Sequence, residues 1–368
     1  MTTLTTDLVA MVGCWGNINT NYGGKPMMAV MSEIGSRSDI SCLQIAGDNY
    51  YVKNMIELKD GIEKVKHHLR VSEIENVMKA LPTNMPVDMV LGNHEMEPKK
   101  IIVKDKKVKD PDSLCLIAEQ EIEVIDRVNA TRDNKIVLHK LGDNSVKYMH
   151  GDCYIYLDTT ILIPTIKTDC YEKLFSKKNR NTIIKTQFDE ICSHITTNKY
   201  KRTFFIGHHP PVTFRNKHEK GTVETTINHL LIKFMTNIVL EKKLPDVHYL
   251  CADFHIYQHI RMKSHGVDFN VHIVGTGGAR LDNGLIPGRI DNKLIALLED
   301  SIHTFDGATV ERKGDLVSII SKDLSFTLVK TLVTYGYLCI GDTIQFKRVL
   351  MGGRTRRKRR YKRHTKTK

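Results

Sequence analysis

The chain has 368 residues, 41% of them hydrophobic and 26% charged, the balance of a folded globular protein long enough for one large domain. Its net charge of +13 is concentrated at one end: residues 351–368 hold ten Lys/Arg and no acid, which leaves 45 basic against 42 acidic residues in the body. The body's charge therefore excludes a nucleic-acid binder built on overall charge, and no apolar run approaches the ~18 residues that span a bilayer.

The first residues, MTTLTTDLVAMVG, lack a basic stretch and run into an apolar one, so no signal peptide is expected. Residues 8–13, LVAMVG, read as a buried strand that breaks on Gly13 and delivers Cys14 and Trp15 to its tip. Further strands are expected at 41–47, 87–92, 153–158, 202–207, 247–252 and 271–275. Between them, 52–81 carries Met55, Leu58, Ile62, Val65, Leu69, Ile74, Val77 and Leu81 at near-helical spacing and reads as the longest helix. Helices are also expected over 113–128, 182–198 and 225–242. The Lys/Asp-rich stretch 96–112 reads as a solvated surface loop. Beyond residue 316 the helices give way to consecutive β segments, expected to be antiparallel. Strand–helix alternation points to an α/β architecture with helices covering sheets. Residues 1–350 are expected to form the domain, and 351–368 a disordered basic tail. Eight scattered cysteines without a C-x-x-C pair read as free thiols of an intracellular chain, in cytoplasm or nucleus.

Five strand tips carry polar residues of one kind: GCWGN (13–17), AGDNYY (46–51), LGNHE (91–95), IGHHPP (206–211) and CADFH (251–255). In α/β sheets ligands collect at the carboxyl ends of strands, and carboxylates, imidazoles, an amide oxygen and a thiol are metal-ligand chemistry. Each residue also has a plainer reading. Asp48 and Asn93 follow glycines as turn residues do, and His208 can be a satisfied core histidine. Cys14 can be a ligand, a small buried hydrophobe or a nucleophile.

In order, these blocks resemble those of the calcineurin-like metallophosphoesterases, most closely their purple-acid-phosphatase branch. The later IVGTGG (273–278) resembles the glycine-rich strand end of that branch. The cysteine in the first block and the Arg/Lys-rich terminus also resemble members encoded by large DNA viruses, with a possible place in the virion. The resemblance implies a four-layer α/β/β/α sandwich of two mixed sheets. It implies two divalent or trivalent transition metals (Fe, Zn or Mn) bridged by Asp48, one held with Cys14, Tyr51 and His255, the other with Asn93, His208 and Asp253. His94 would touch the phosphate or its leaving oxygen, and a bridging hydroxide would hydrolyse a phosphate ester, monoesters being favoured. Two positions depart from the pattern: Cys14 stands in place of Asp and Asp253 in place of His. Those departures leave open a decayed, non-catalytic binding protein. The tail leaves open a nucleic-acid-associated protein or phosphodiesterase that contacts polyanions through residues 354–368.

Overall fold

Two sheets carry the chain. The computed structural model describes residues 7–16, 25–49, 56–59, 62–65, 75–79, 81–96, 100–103, 106–109, 116–140, 145–164, 170, 179–196, 200–217, 222–302, 305 and 307–351. In the first sheet the strands Leu8–Val12, Ile40–Ala46, Val87–Val90 and Ile136–His139 run parallel, and Gly336–Ile340 and Ile344–Arg348 add antiparallel at one edge. Among the described residues the second sheet has nine strands. At its centre Asp152–Tyr156, Thr203–Ile206, Val247–Cys251 and Val267–Val274 are parallel, and antiparallel strands extend both edges. Both sheets are thus mixed.

The two-residue period of each strand divides the side chains between two cores. Val9, Met11, Cys42 and Leu338 of the first sheet pack against Tyr154, Phe204, Leu250 and Val274 of the second, closing the space between the sheets. Their neighbours Ala10, Val12, Leu43 and Ile45 face outward onto Met27, Val30, Met31 and Ile34 of the helix Lys25–Ser36. On the other side Ile155, Phe205 and Tyr249 pack in one core with Ile183 and Ile191 of the helix Arg180–His194 and Leu231, Met235 and Ile238 of the helix His229–Lys242. The result is the expected four-layer α/β/β/α sandwich.

A buried polar link joins the sheets. The Tyr156 hydroxyl donates to Gln44 Oε1 at 2.9 Å, and Gln44 leads to Asp88, which His139 meets at 2.8 Å and Lys147 meets as an ion pair.

Three expectations fail. Residues 56–59 and 62–65 are not helical but pair as an antiparallel hairpin. The Asp60-Gly61 dipeptide between them is a strong hairpin signal that the apolar spacing masked; of that segment, 75–79 is helical. Within 96–112, Lys100–Val103 pairs with Lys106–Lys109, so this stretch holds a hairpin as well. Finally, Cys170 is disulfide-bonded, with its partner outside the described residues, so the eight cysteines are not all free thiols. The helices over 113–128 and 182–198 are Leu116–Asn129 and Arg180–His194; the expected helix over 225–242 begins only at His229, because 222–227 is a strand. The basic tail beyond Met351 lies outside the described residues. Among the described residues no helix is long and apolar enough to cross a membrane.

Candidate metal centre

All five polar blocks come to the same end of the sandwich, because the strands that carry them are the parallel strands of the two sheets. Backbone bonds lock the tips together: Cys14 N donates to Gly47 O at 3.1 Å, Gly16 N to Asp48 O at 3.3 Å, and Ala252 N to His208 O at 2.9 Å. The glycines let these loops touch. A Cβ on Gly47 would lie 2.8 Å from His208 Nδ1, and one on Gly92 would strike the Asp48 carboxylate. The glycine-rich 275–279 segment closes over the first tip, with Gly277 N bonded to Gly13 O and Ala279 N to Cys14 O.

Cys14, Asp48 and Asp253 each follow a strand, and each is left-handed, with φ of 51°, 51° and 59°. Non-glycine residues adopt this conformation at a cost of ~1–2 kcal/mol, less for Asp than for Cys. The turn redirects each side chain inward. Asp48 is buried and shared by two convergent groups: Cys14, Asp48 and His255, and Asp48, His208 and Asp253, with donor atoms within 4.8 Å of one another in each. The Cys14 thiol lies 3.9 Å from Asp48 Oδ2.

Both histidines are held as metal-binding histidines are, by a backbone carbonyl on Nδ1. His208 Nδ1 meets Ala46 O at 2.8 Å, and its Nε2 faces Asp48 Oδ1 and Asn93 Oδ1, each at 3.1 Å. His255 Nδ1 meets Arg280 O at 3.0 Å. Burial works against charging His208, yet the adjacent Asp48, with Asp253 beyond, carries its imidazole up to about 9. Without a cation, this ring is charged among carboxylates. His209 turns away: its Nδ1 meets Thr159 Oγ1 at 2.9 Å, and burial, then the charge of His208, push it well below its ordinary value.

His94 lies at the mouth, nearly half exposed, with Nε2 4.0 Å from Asp48 Oδ2. Glu95 is buried and accepts from Gly92 N at 2.7 Å, bracing the turn. Tyr51 lies outside the described residues.

Two supports escaped the sequence reading. Asn49 bridges Trp15 Nε1 (2.7 Å) to Glu121 Oε1 (2.7 Å), wedging the first two tips against the helix Leu116–Asn129. Burial, then Glu95, push the Glu121 carboxyl well above its ordinary value. Arg215, on the hairpin strand Val212–Lys217, lies 3.7 Å from Asp253 and over the Phe254 ring at 4.6 Å. It sets a cation beside the carboxylate that replaces the expected histidine. Asn49 stands inside the second polar block, but its role acts across the fold; no local sequence signal marks Arg215.

The donor set fits metal binding. A thiol, two carboxylates (Asp48 being common to both groups), an amide oxygen and two imidazoles converge, and a deprotonated cysteine ligand would favour Fe or Zn over Mg or Ca.

No family model matches the chain, and no curated protein matches its sequence. Among solved structures it is similar to the purple acid phosphatase PPD1 from yellow lupin seeds, with a TM-score of 0.52 and 12% identity. That match covers 93% of this chain and 51% of the lupin protein, so the chain spans about half the length of that relative. It also matches GAP50, the anchor in the inner membrane complex of Plasmodium, at a TM-score of 0.43 and 10% identity over 94% of this chain and 89% of that one. Neither bears on the resemblance to viral members. The fold is that of the purple-acid-phosphatase-like metallophosphoesterases.

Proposed function

We propose that the strand-end cluster is a dinuclear metal centre that hydrolyses phosphate esters, monoesters in preference to diesters. The observation that carries this reading is that buried Asp48 belongs to both convergent ligand groups. Cys14 and His255 would hold one metal, with Tyr51 by the family resemblance. Asn93, His208 and Asp253 would hold the other. Bound metals would supply charge neutralisation at the phosphoryl oxygens and a water acidic enough to attack at neutral pH. The chain's own contribution is orientation and charge. Asp48 fixes the spacing of the two groups, His94 at the mouth offers a donor to a phosphate or leaving oxygen, and Arg215 offsets the Asp253 carboxylate that would otherwise repel an anion.

The test is elemental analysis together with turnover. Purified protein should contain close to two transition-metal equivalents and hydrolyse p-nitrophenyl phosphate faster than its bis ester. Asp48→Asn should lose most of the metal and nearly all turnover. A fully active Asp48→Asn protein would falsify the assignment. Metal-free, inactive protein as isolated would instead favour the non-catalytic reading that Cys14 and Asp253 leave open.

The basic tail fits polyanion binding separate from catalysis. A chain ending at Leu350 should keep small-substrate turnover and lose salt-sensitive nucleic-acid binding; unchanged affinity would make the tail a localisation signal instead.

A further inference from the structure

At the opposite end of the sandwich a cleft of about 650 Å³ opens between the second sheet and the strand Ile344–Arg348 of the first. Its size is that of a small-molecule site. Three strands of the second sheet each contribute a histidine to it. His272 lies opposite His259 in the ladder, and their rings stack with centroids 4.5 Å apart and 7° between planes. His248, on the neighbouring strand, lies 6.1 Å from His272 in a nearly parallel plane.

The imidazoles are only partly satisfied. His272 Nδ1 meets the Tyr257 hydroxyl at 3.2 Å. His248 is 7% exposed, yet its Nδ1 has no partner among the described residues, and neither has the buried Nε2 of His259. Such orphaned buried nitrogens are destabilising unless something binds them. A metal is not the missing group, because the only groups of His, Cys and carboxylate residues that converge on one point, among the described residues, are the two at the strand ends.

Two cations, Arg202 and Lys330, and two carboxylates, Asp246 and Asp342, line the cleft. Asp246 is drawn to His248 Nε2 at 3.3 Å, and the Arg202 guanidinium is committed to Asp152 and to Gly341 O. Exposed Lys330 lines the same cleft as a further cation, opposite exposed Asp342. Burial holds His248, His259 and His272 below their ordinary values, against Asp246 for His248 and a hydrogen bond with Asn270 for His259, where Arg261 and Lys330 add to burial. An anion would reverse that balance and draw a proton onto the cluster. Tyr257 and Phe346, stacked at 4.5 Å, give the cleft an aromatic wall.

We propose that this cleft is a second, metal-independent site for a small organic anion. Its phosphate or carboxylate head would lie against Lys330 and the unpartnered imidazole nitrogens, and its apolar body against Tyr257 and Phe346. This assignment is independent of what the strand-end cluster does.

The test follows the imidazole Cε1–H resonances of the full-length, chelator-treated protein by NMR while phenylphosphonate or benzoate is added at constant ionic strength. The two probes share an apolar ring and differ in the anionic head. The His248 and His259 signals, assigned with His248→Gln and His259→Gln, should move toward imidazolium positions along one saturating curve. Response to phenylphosphonate alone assigns a phosphate-type ligand, and response to benzoate alone a carboxylate. Lys330→Ala, an exposed change that should not disturb folding, should weaken binding about tenfold, the loss of one charged hydrogen bond. If neither probe moves these signals, or if Lys330→Ala leaves the curve unchanged, the site is not an anion site.

Discussion

Cys14 and Asp48 leave their strands in the same left-handed conformation, each at φ 51°, and the Cys14 thiol points at Asp48 Oδ2 across 3.9 Å. Aspartate tolerates this conformation because its side chain can bond locally; cysteine has no such compensation. Strain held at a buried thiol is what a ligand position would retain and a packing position would lose. Cys14→Gly and Cys14→Ala separate the two. Both remove the thiol, but only glycine relieves the backbone, so metal-free Cys14→Gly should be about 1 kcal/mol more stable than Cys14→Ala in urea unfolding. Both should lose much of the rise in Tm that added Zn or Fe gives the parent chain. A full metal-dependent rise in Cys14→Ala would make Cys14 packing.

Metal uptake should depend on pH through His208. In the metal-free chain its imidazole is carried up to about 9, so at pH 7 it holds a proton that a metal must displace. Affinity at the second position should therefore rise with pH, by about tenfold per unit for this one proton, and level off near pH 9. Titration in buffers of different ionisation enthalpy should register proton release at pH 7. Proton-neutral binding there would remove His208 from the ligand set.

Arg215 lies 3.7 Å from Asp253 with its guanidinium over Phe254. If it serves the phosphate, Arg215→Lys should keep part of its effect and Arg215→Leu should raise KM for an aryl phosphate about tenfold or more, with a smaller change in kcat. Inorganic phosphate should inhibit Arg215→Leu correspondingly less. A loss confined to kcat, with unchanged phosphate inhibition, would mean that Arg215 only positions Asp253.

Asp88 sits between the sheets with His139 and Lys147 as partners. Burial opposes its ionisation, but these partners win, and its carboxyl lies below the ordinary value. A lowered folded pKa means stability that is complete above the unfolded value of about 3.9 and is lost as pH falls through the folded one. Asp88→Asn should thus destabilise the protein by about 3–5 kcal/mol at pH 7, leaving Lys147 and His139 without their carboxylate. The deficit should shrink toward pH 3. A deficit that does not change with pH would show that shape, not charge, is what Asp88 provides.

The residues that meet at the strand ends carry a local mark in the sequence. Apolar runs that end on glycine and then on Cys14, Asp48, Asn93 or His208, or on Ala252 before Asp253, mark strand tips, because strand burial and the turn that ends it are local properties of the chain. The helices Leu116–Asn129, Arg180–His194 and His229–Lys242 and the antiparallel end of the chain followed from periodicity, whereas the helix Lys25–Ser36 was not expected and the arrangement of two mixed sheets came from the family resemblance. Where two local signals competed, the reading failed: near-helical spacing over 52–81 outweighed Asp60-Gly61, and the structure pairs 56–59 with 62–65.

What only the tertiary structure decided is everything that depends on residues distant in sequence meeting in space. The wedge of Asn49 between Trp15 and Glu121 spans 72 positions at its longer arm. Arg215 reaches Asp253 from a hairpin with no motif of its own. His248, His259 and His272 become one cluster only because their strands are neighbours in the sheet. The left-handed turn at Cys14 belongs to the same class. Its thiol could be named from the sequence, but its direction is set by backbone bonds to Gly47, which needs the first two strands paired, and to Ala279, which needs the second sheet packed against the first. Periodicity reports which face of an element is buried; it carries no information about which other element covers it.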